Sequence, residues 1–244
     1  PSNERDWLPD VAQAAEVHFD GSRVTVENVR NFHYRSETDY DEIWETRSFD
    51  LDRLTGVDLF LSYWGPTLIA HTIVSWEFQD APPLAISIET RKEKGGAYSA
   101  VLGFFRQYEL YYVVADERDV IGVRTDHRGE HVRLYRVKMP AAEARALFVD
   151  YLQEIDGLAS QPQWYNAFTH NCTTAIRQHR ERLGTAQAFD WRILANGRLD
   201  ELMYERGAID TTLALAQPWC SIGSDGSALS IDGPLRRGNP HPRN

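Results

Sequence analysis

The sequence predicts an α+β fold in which helices pack on an antiparallel sheet. Three observations support this. Segments with period-two alternation fill the first third of the chain, and segments with helical spacing dominate after residue 139. Before the C-terminal tail, no Gly-rich boundary divides the chain. Strands first and helices later are typical of a layered α+β domain rather than of alternating βα units.

The strand predictions follow from alternation and from the enrichment of β-branched and aromatic residues. Pro82 and Pro83 separate two of these segments, and a Pro-Pro pair fits a connection better than the interior of a ladder. We therefore expect the segments on either side to be neighbouring antiparallel strands. The predicted strands are residues 23–30, 43–51, 57–64, 67–78, 84–91, 109–116, 119–125 and 131–138.

The helix predictions rest on 3.6-residue spacing and on start and stop signals. Pro140 suits a first helical turn, and the apolar residues that follow recur at helical spacing up to residue 160. Gly184 is a stop signal for a helix that begins near Cys172. Residues 97–108 and 199–207 are further predicted helices. Residues 1–220 are expected to form one domain, and residues 221–244, rich in Gly, Ser, Pro and Asn, a mobile tail.

Composition limits the classes of function. The chain has 244 residues, of which 42% are hydrophobic, and a net charge of −10. This charge argues against nucleic acid as a partner, because phosphate binding needs a basic surface. No apolar run approaches the ~20 residues that a membrane-spanning helix needs. No signal peptide is visible and the first residue is Pro, so we expect a trimmed piece of a longer chain.

The segment "FTHNCTTAI" carries the first chemical signal, because Cys172 is one of only two cysteines. Asn171 is a favourable N-cap, which makes Cys172 the first residue of the predicted helix. Unpaired backbone N–H groups at a helix start stabilise a thiolate and can also hold an oxyanion. Thiol acyl chemistry is therefore one interpretation. A buried packing role is the other, since free cysteines are often buried.

A nucleophilic cysteine needs a base, and His71 stands out because it interrupts the apolar segment "LIAHTIVSW". The hairpin of residues 67–78 and 84–91 would bring Glu89 beside it. A carboxylate there fixes the imidazole tautomer and stabilises its charged form. The alternatives are a hydrogen-bonded core histidine and an exposed Glu89 paired with Arg91.

Two further roles for Cys172 stay open. A disulfide to Cys220 would stabilise the domain and remove the nucleophile. Zinc binding by His170, Cys172 and His179 matches no usual ligand spacing and lacks an apparent fourth ligand. We therefore expect no metal and no cofactor.

Six segments make the chain resemble the Lnb-type periplasmic domain of bacterial lipoprotein transacylases and their relatives. They are "DWLPDVA", "VTVENVRNFHYRSETDYDEIWETRSFDL", "VDLFLSYWGPTLIAHT", "ISIETRKEKG", "GFFRQYELYYVVADERDVIGVRT" and "WYNAFTHNCTTAIRQH", and together they extend over roughly residues 5–215. The resemblance implies a permuted papain-like, NlpC-like fold. It also implies Cys172 as nucleophile and His71 as base, while Glu89 as third group is our own assignment.

The resemblance further implies a substrate and a location. We expect a diacylated lipoprotein as substrate, with an ester-linked acyl chain moving to its N-terminal amine through a thioester on Cys172. Aromatic side chains are expected to line an acyl channel, and the candidate substrate-binding residues are Tyr63, Trp64, Arg91, His170 and Asn171. The expected location is the periplasmic face of the inner membrane, with membrane association through an upstream segment.

Two other functions remain possible on the same residues. One is an NlpC-like thiol hydrolase or amidase that acts on a cell-envelope peptide. The other is a non-catalytic envelope domain in which Cys172 is buried or disulfide-bonded. A hydrophobic groove beside Cys172 favours the transacylase and a short polar groove the hydrolase. A sulfur beyond hydrogen-bond reach of His71 favours the non-catalytic domain.

Overall fold

The computed structural model describes residues 1–65, 68–95, 108–166 and 172–210. Within them it has ten strands and four α-helices. The strands are β1 (Glu16–Asp20), β2 (Arg23–Arg30), β3 (His33–Tyr34), β4 (Tyr40–Asp41), β5 (Trp44–Asp50), β6 (Leu54–Tyr63), β7 (His71–Phe78), β8 (Leu84–Arg91), β9 (Glu109–Asp116) and β10 (His131–Arg136). The helices are α1 (Glu117–Gly122), α2 (Ala141–Ser160), α3 (Cys172–Arg182) and α4 (Leu199–Glu205). The structure is therefore of the predicted α+β class.

An eight-stranded sheet organises the domain. Its strand order is β1-β2-β9-β8-β7-β6-β10, and β5 pairs with β2 beside this path. All pairings in it are antiparallel except the short parallel contact between β2 and β9. Antiparallel neighbours joined by short loops are what the alternating first third of the sequence predicts.

The hairpins around β7 set the geometry of the site. In the β6–β7 pair, Ser62 lies opposite His71. In the β7–β8 pair, Ile73 lies opposite Ser87, and the pairing ends there. Continuing that register by two residues puts Glu89 opposite His71, as the predicted hairpin requires.

The sheet has a hydrophobic core on each face because successive side chains of a strand point to opposite sides. Helices α2 and α3 cover one face, where Val74 and Trp76 of β7 are buried. Helix α1 and the N-terminal residues cover the other face, where Ile73 of β7 is buried with Phe60 of β6. Strand β7 therefore contributes side chains to both cores.

Helices α2 and α3 begin and end close to the predicted positions. The apolar side chains of α2 that were expected to share one face are buried. Gly184 follows α3 with a φ of +69°, a backbone conformation that only glycine adopts without strain. The stop signal at Gly184 therefore acts as expected.

Two local predictions were wrong. Residues 119–125 were expected to form a strand, but they belong to α1 and to a π-helical segment, Val123–His127. The Asp116 side chain accepts a hydrogen bond from the Arg118 N–H at 2.9 Å and so starts α1 directly after β9. In β2, the strict alternation predicted for residues 23–30 would put Asn28 on the face of Val26, but Asn28 has a φ of 59° within a bulge and Val29 takes that face instead.

Some predictions concern residues outside the described ranges. They are the helix over most of residues 97–108, the tail at residues 221–244, and the side chains of His170, Asn171 and Cys220. Among the described residues, no helix is long and apolar enough to cross a membrane.

Candidate active site

Cys172 is the first residue of α3 and carries a free, buried thiol. Its Sγ lies 3.6 Å from Nδ2 of Asn196, which donates to it, and 3.8 Å from Oγ1 of Thr173. Cys172 is the first described residue of the helix, and the predicted N-cap, Asn171, lies outside the described residues. Burial among neutral hydrogen-bonding groups leaves the sulfur with a specific donor rather than with packing contacts alone.

Asn196 connects the start of α3 to the start of β7. Its Nδ2 donates to Thr173 Oγ1 at 2.6 Å and approaches Thr72 Oγ1 at 3.3 Å. Thr72 and Thr173 are themselves 3.1 Å apart through their hydroxyl oxygens. Thr72 follows His71 in β7, and Thr173 follows Cys172 in α3. The contact between the two threonines therefore places the segments that carry His71 and Cys172 beside each other.

His71 is the first residue of β7 and belongs to a second polar cluster. Its Nε2 lies 2.6 Å from Ser87 Oγ, and Ser87 Oγ donates to Glu89 Oε1 at 2.8 Å. Nε2 is also 3.6 Å from Glu89 Oε1. Since the Ser87 hydroxyl proton points to Glu89, Ser87 accepts from Nε2–H, which defines the tautomer of the imidazole. Glu89 therefore lies beside His71, as the hairpin predicted, and the alternative pairing with Arg91 is wrong.

Arg124 completes this cluster, and the sequence reasoning missed it. One guanidinium nitrogen donates to Glu89 Oε1 at 2.8 Å, and another donates to Glu130 Oε2 at 3.0 Å. Ser62 also donates to Glu130 Oε2, at 2.5 Å. The sequence did not point to Arg124 because residues 119–125 were predicted to form a strand. In the structure these residues are helical, and Arg124 lies on the side of the helical segment that faces the sheet.

Electrostatics keep His71 neutral and Glu89 ionised. Burial and the nearby Arg124 guanidinium lower the pKa of His71 to about 3, although Glu89 opposes this effect. Burial raises the pKa of Glu89, but Arg124, His71 and the Ser87 hydrogen bond outweigh it and hold that pKa well below its usual range. His71 is therefore a neutral imidazole at neutral pH. Among the described residues its Nδ1 makes no hydrogen bond, which leaves that lone pair available.

Cys172 and His71 are not hydrogen-bonded to each other. The sulfur contacts Asn196 and Thr173 on the face of the sheet that α3 covers. The imidazole contacts Ser87 and Glu89 on the opposite face. The alternation of side chains along β7 explains this, because Thr72 and His71 are consecutive residues.

Tyr63 ends β6 beside this site and Trp64 follows it, but their environments differ. The Tyr63 hydroxyl donates to the Gly197 carbonyl at 3.0 Å, so it supports the backbone next to Asn196. That bond uses the Tyr63 hydroxyl proton, which a substrate oxygen would otherwise accept. Trp64 is 61% exposed and is accessible to a ligand.

The predicted substrate-binding role of Arg91 is not what the structure shows. Arg91 is buried and donates to the carbonyls of Val11 and Ala12 at 2.9 and 2.8 Å and to Oδ1 of Asn3 at 2.7 Å. Its guanidinium also lies 4.5 Å from the centre of the Trp7 ring. Arg91 therefore holds the N-terminal segment against the sheet. The alternative of a surface salt bridge is wrong for the same reason.

His179, two turns along α3 from Cys172, belongs to another buried cluster. Its Nδ1 is 2.6 Å from Asp150 Oδ2 and its Nε2 is 3.0 Å from the Tyr112 hydroxyl. Both ring nitrogens are therefore engaged in hydrogen bonds. Tyr151 stacks on His179 with ring centres 3.7 Å apart. Burial, Tyr112 and Cys172 raise the pKa of Tyr151 well above its ordinary value, so its hydroxyl stays protonated.

Two loops beside the site expose large apolar side chains. Leu68 and Ile69, each 55% exposed, lie just before Ala70 and His71. The loop that leads to Asn196 exposes Trp191 and Leu194. The loops are joined by hydrogen bonds from Gly197 N–H to the Leu68 carbonyl at 3.0 Å and from Ala70 N–H to Asn196 Oδ1 at 2.9 Å. Large exposed apolar patches are typical of surfaces that bind ligands or lipids.

Three of the aromatic side chains expected to line an acyl channel pack in the cores instead. Trp76, Tyr111 and Tyr112 are buried in the two cores of the sheet. His170 and Asn171, the remaining predicted site residues, lie outside the described ranges.

Comparison with known families identifies one match. The family model described as the Lnb N-terminal periplasmic domain matches residues 40–197, which is more than half of the chain and includes His71, Glu89, Cys172 and Asn196. A search of curated proteins and a search of solved structures found no match. The chain therefore belongs to the Lnb N-terminal periplasmic domain family.

Proposed function

We propose that this domain is a cysteine-dependent lipoprotein transacylase. It moves an ester-linked acyl chain of a diacylglyceryl-lipoprotein to the lipoprotein's N-terminal amine through a thioester on Cys172. The observation that carries the proposal is the free thiol of Cys172 at the first residue of α3, one residue from a side-chain contact with the strand that bears His71. A thiol, a neutral imidazole and a carboxylate are the groups that thiol acyl transfer requires.

The first half-reaction forms the acyl-enzyme. The Cys172 thiol gives its proton to Nδ1 of His71, and the thiolate attacks the ester carbonyl carbon of the diacylglyceryl group. The backbone N–H groups at the start of α3 stabilise the negative oxygen of the tetrahedral intermediate. The carbon–oxygen bond then breaks, and the glyceryl oxygen takes the proton from the imidazolium. Glu89, through Ser87, stabilises the imidazolium while it exists.

The second half-reaction transfers the acyl chain. The N-terminal amine of the lipoprotein attacks the thioester carbonyl and loses a proton to His71. The carbon–sulfur bond breaks, and the sulfur takes that proton back to become a thiol. The products are an N-acylated lyso-lipoprotein and the free enzyme. Water is excluded from the thioester because the sulfur is buried.

The proton transfers require the His71 ring to approach the sulfur. In the structure the imidazole is hydrogen-bonded to Ser87 on the other face of the sheet. Residues 71 and 72 of β7 lie beyond the paired part of the β7–β8 hairpin but are paired with Ser62 and Leu61 of β6, so a shift there would disturb only the β6 side of the ladder. Catalytic hydrogen bonds often tighten only in the substrate complex. We therefore propose that the His71 ring approaches the Cys172 sulfur when the substrate binds.

An acyl substrate also fits the surface around the site. Trp64, Leu68 and Ile69 precede His71 along the chain and are all more than half exposed. An acyl chain of a lipoprotein gains roughly 0.8 kcal/mol for each methylene group that it buries. In this proposal the domain works at the periplasmic face of the inner membrane with a permuted papain-like arrangement, and an upstream segment holds it at the membrane.

A second candidate is a non-catalytic envelope domain. It is favoured by the hydrogen bonds of Cys172, which go to Asn196 and Thr173 rather than to His71. An NlpC-like thiol hydrolase or amidase is the remaining alternative; it would use the same thiol on a cell-envelope peptide, with water as the acceptor.

The deciding experiment is mass spectrometry of the protein incubated with a diacylated lipopeptide. We expect an acyl adduct on the peptide that contains Cys172, followed by N-acylated lyso-lipopeptide. Cys172→Ser should give neither product, and Cys220→Ser should give both. Free fatty acid in place of N-acylated product would mean a hydrolase. Absence of any adduct and of any product from the folded wild-type chain would contradict the transacylase and leave the non-catalytic domain and the peptide amidase.

A further inference from the structure

Asn196 is a buried polar residue outside every element that the sequence analysis linked to the site. It begins a short 3-10 turn, Asn196–Arg198, that leads into α4. Its side chain nevertheless contacts Cys172, Thr72 and Thr173 and accepts from the Ala70 N–H. One amide group thus bridges the strand that bears His71 and the helix that bears Cys172.

The orientation of the Asn196 amide follows from its partners. Oδ1 accepts from the backbone N–H of Ala70 at 2.9 Å, and a backbone N–H can only donate. The other end of the amide, Nδ2, must therefore face the two threonine hydroxyls and the sulfur. A flipped amide would set two donors against each other at Ala70.

The Nδ2 group has fewer protons than neighbouring acceptors. It carries two N–H bonds, while Thr173 Oγ1, Thr72 Oγ1 and Cys172 Sγ lie at 2.6, 3.3 and 3.6 Å. The neutral thiol is the weakest and most distant of the three acceptors. A thiolate would be the strongest, because hydrogen bonds to a charged acceptor are roughly twice as strong as neutral ones. When the sulfur ionises, one N–H of Asn196 therefore donates its hydrogen bond to Sγ instead of to a threonine hydroxyl.

From this geometry we infer that Asn196 is a further catalytic residue, whose amide N–H stabilises the Cys172 thiolate and whose oxygen fixes the backbone just before His71. The inference rests on the proposed function, because it assigns a role within that reaction. It requires no new conformational change at Asn196. The same contacts could have only a structural role, in which they hold β7 and α3 together. The test therefore needs a measurement that a structural role would not change.

The first test measures how fast iodoacetamide alkylates Cys172 as a function of pH, in a Cys220→Ser background so that one thiol reacts. Asn196→Asp keeps an oxygen for the Ala70 N–H but replaces the donor by a carboxylate oxygen. We expect alkylation at pH 7 to slow by about tenfold or more and the midpoint of the profile to move to higher pH. Asn196→Ala removes the donor without adding charge and should give a smaller shift in the same direction.

Asn28→Asp is the matched control, because it introduces the same charge on β2, three strands away from β7 in the sheet. It should leave the alkylation profile unchanged. Circular dichroism and thermal unfolding establish which variants are folded. A folded Asn196 variant with a wild-type alkylation profile would overturn the inference.

A second measurement needs no Asn196 variant. In the ¹⁵N NMR spectrum, the side-chain NH₂ signal of Asn196 should move with the ionisation of the thiol in the wild-type chain, and should not do so in Cys172→Ala. If the chemical shift of the Asn196 side-chain signal stays constant while the thiol titrates, the inference is contradicted even if the Asn196 variants do not fold.

Failure of the proposed function looks different. If the wild-type chain transfers no acyl group to or from the lipopeptide, the proposed function fails, whatever the alkylation profile shows. If the wild-type chain transfers the acyl group and folded Asn196→Asp does so at the wild-type rate, the role of Asn196 fails alone.

Discussion

The two faces of the sheet at the start of β7 differ sharply in chemistry. On one face His71 lies among ionised groups, where Arg124 bonds to both Glu89 and Glu130. On the other face Thr72 lies among neutral groups, and Asn196 is the donor to the sulfur. Consecutive residues of one strand therefore belong to a charged cluster and to a neutral one.

The difference between the two faces separates the proposed base from the proposed nucleophile. The charged face keeps His71 neutral and holds its Nε2–H on Ser87, but a pKa of about 3 makes this imidazole a weak base, so the proposed proton transfer requires the ring to change its surroundings when it approaches the sulfur. On the neutral face, Asn196 is the donor that the described residues provide to the sulfur. Neither face by itself has both nucleophile and base, so the reaction depends on the point where β7 begins and the faces meet.

The largest expected effect comes from replacing the Cys172 sulfur on the neutral face. Cys172→Ser should lower acyl transfer by at least about a thousandfold, since a hydroxyl in this neutral setting is a far poorer nucleophile. The measurement is the initial rate of N-acylated lipopeptide formation. Cys220→Ser is the matched control and should keep the wild-type rate. A Cys172→Ser variant with a wild-type rate would remove the nucleophile assignment.

The next effect comes from removing the base on the charged face. His71→Gln keeps a polar side chain for Ser87 but cannot take a proton, and we expect a loss of about 10²–10⁴-fold in the transfer rate. The exposed His18, on β1 at the edge of the sheet, offers the control His18→Gln. Equal rates for the two variants would mean that the base is another group.

A smaller effect is expected at the group that stabilises the imidazolium. Glu89→Gln keeps the shape of the side chain and removes its charge, so we expect a loss of about 10–100-fold without abolition of transfer. Arg124 keeps Glu130 as a partner, which limits the damage to the fold. Glu93→Gln, at an exposed glutamate of the same hairpin edge, is the control. An unchanged rate in Glu89→Gln would assign the orientation of His71 to another residue.

The smallest effect concerns stability as a function of pH. The pKa of His71 is about 3 in the folded chain and about 6.5 for an unperturbed histidine, so the unfolded state binds the proton more tightly. Above pH 6.5 the residue contributes no pH dependence. Between pH 6.5 and 3 it makes the free energy of unfolding fall with decreasing pH, by at most about 1.4 kcal/mol per pH unit.

Urea unfolding of the wild-type chain and of His71→Gln at several pH values checks this contribution. The variant should lose stability less steeply than the wild type between pH 6.5 and 4. Parallel curves would mean that the folded chain accommodates the charged imidazole, which would weaken the contrast between the two faces.

The sequence predicted those parts of the site that depend on local pattern. Pro82 and Pro83 and the alternation around them placed Glu89 beside His71, because a hairpin register is fixed by its loop and its buried face. The N-terminal position of Cys172 in a helix followed from local start signals. The Arg91 prediction failed because alternation places a side chain on a face without saying what else that face binds.

Other parts depended on contacts between residues far apart in the chain. Arg124 could not be linked to Glu89 while residues 119–125 were assigned to a strand, and no local signal distinguishes a buried helical turn from a short apolar strand. Asn196 lies 24 residues from Cys172 in sequence and joins it only through the tertiary fold. Its position in a short turn after a polar loop gave no pattern to detect.

The sequence by itself determined the α+β class, the family, the hairpin that pairs His71 with Glu89, and the helix that begins at Cys172, because each follows from residue order over short distances. The tertiary structure decided which face of β7 each side chain occupies and which donor reaches the sulfur. It also decided that Arg91 holds the N-terminal segment. These outcomes depend on how distant segments pack on the two sides of one sheet, and periodicity along the chain carries no information about that packing.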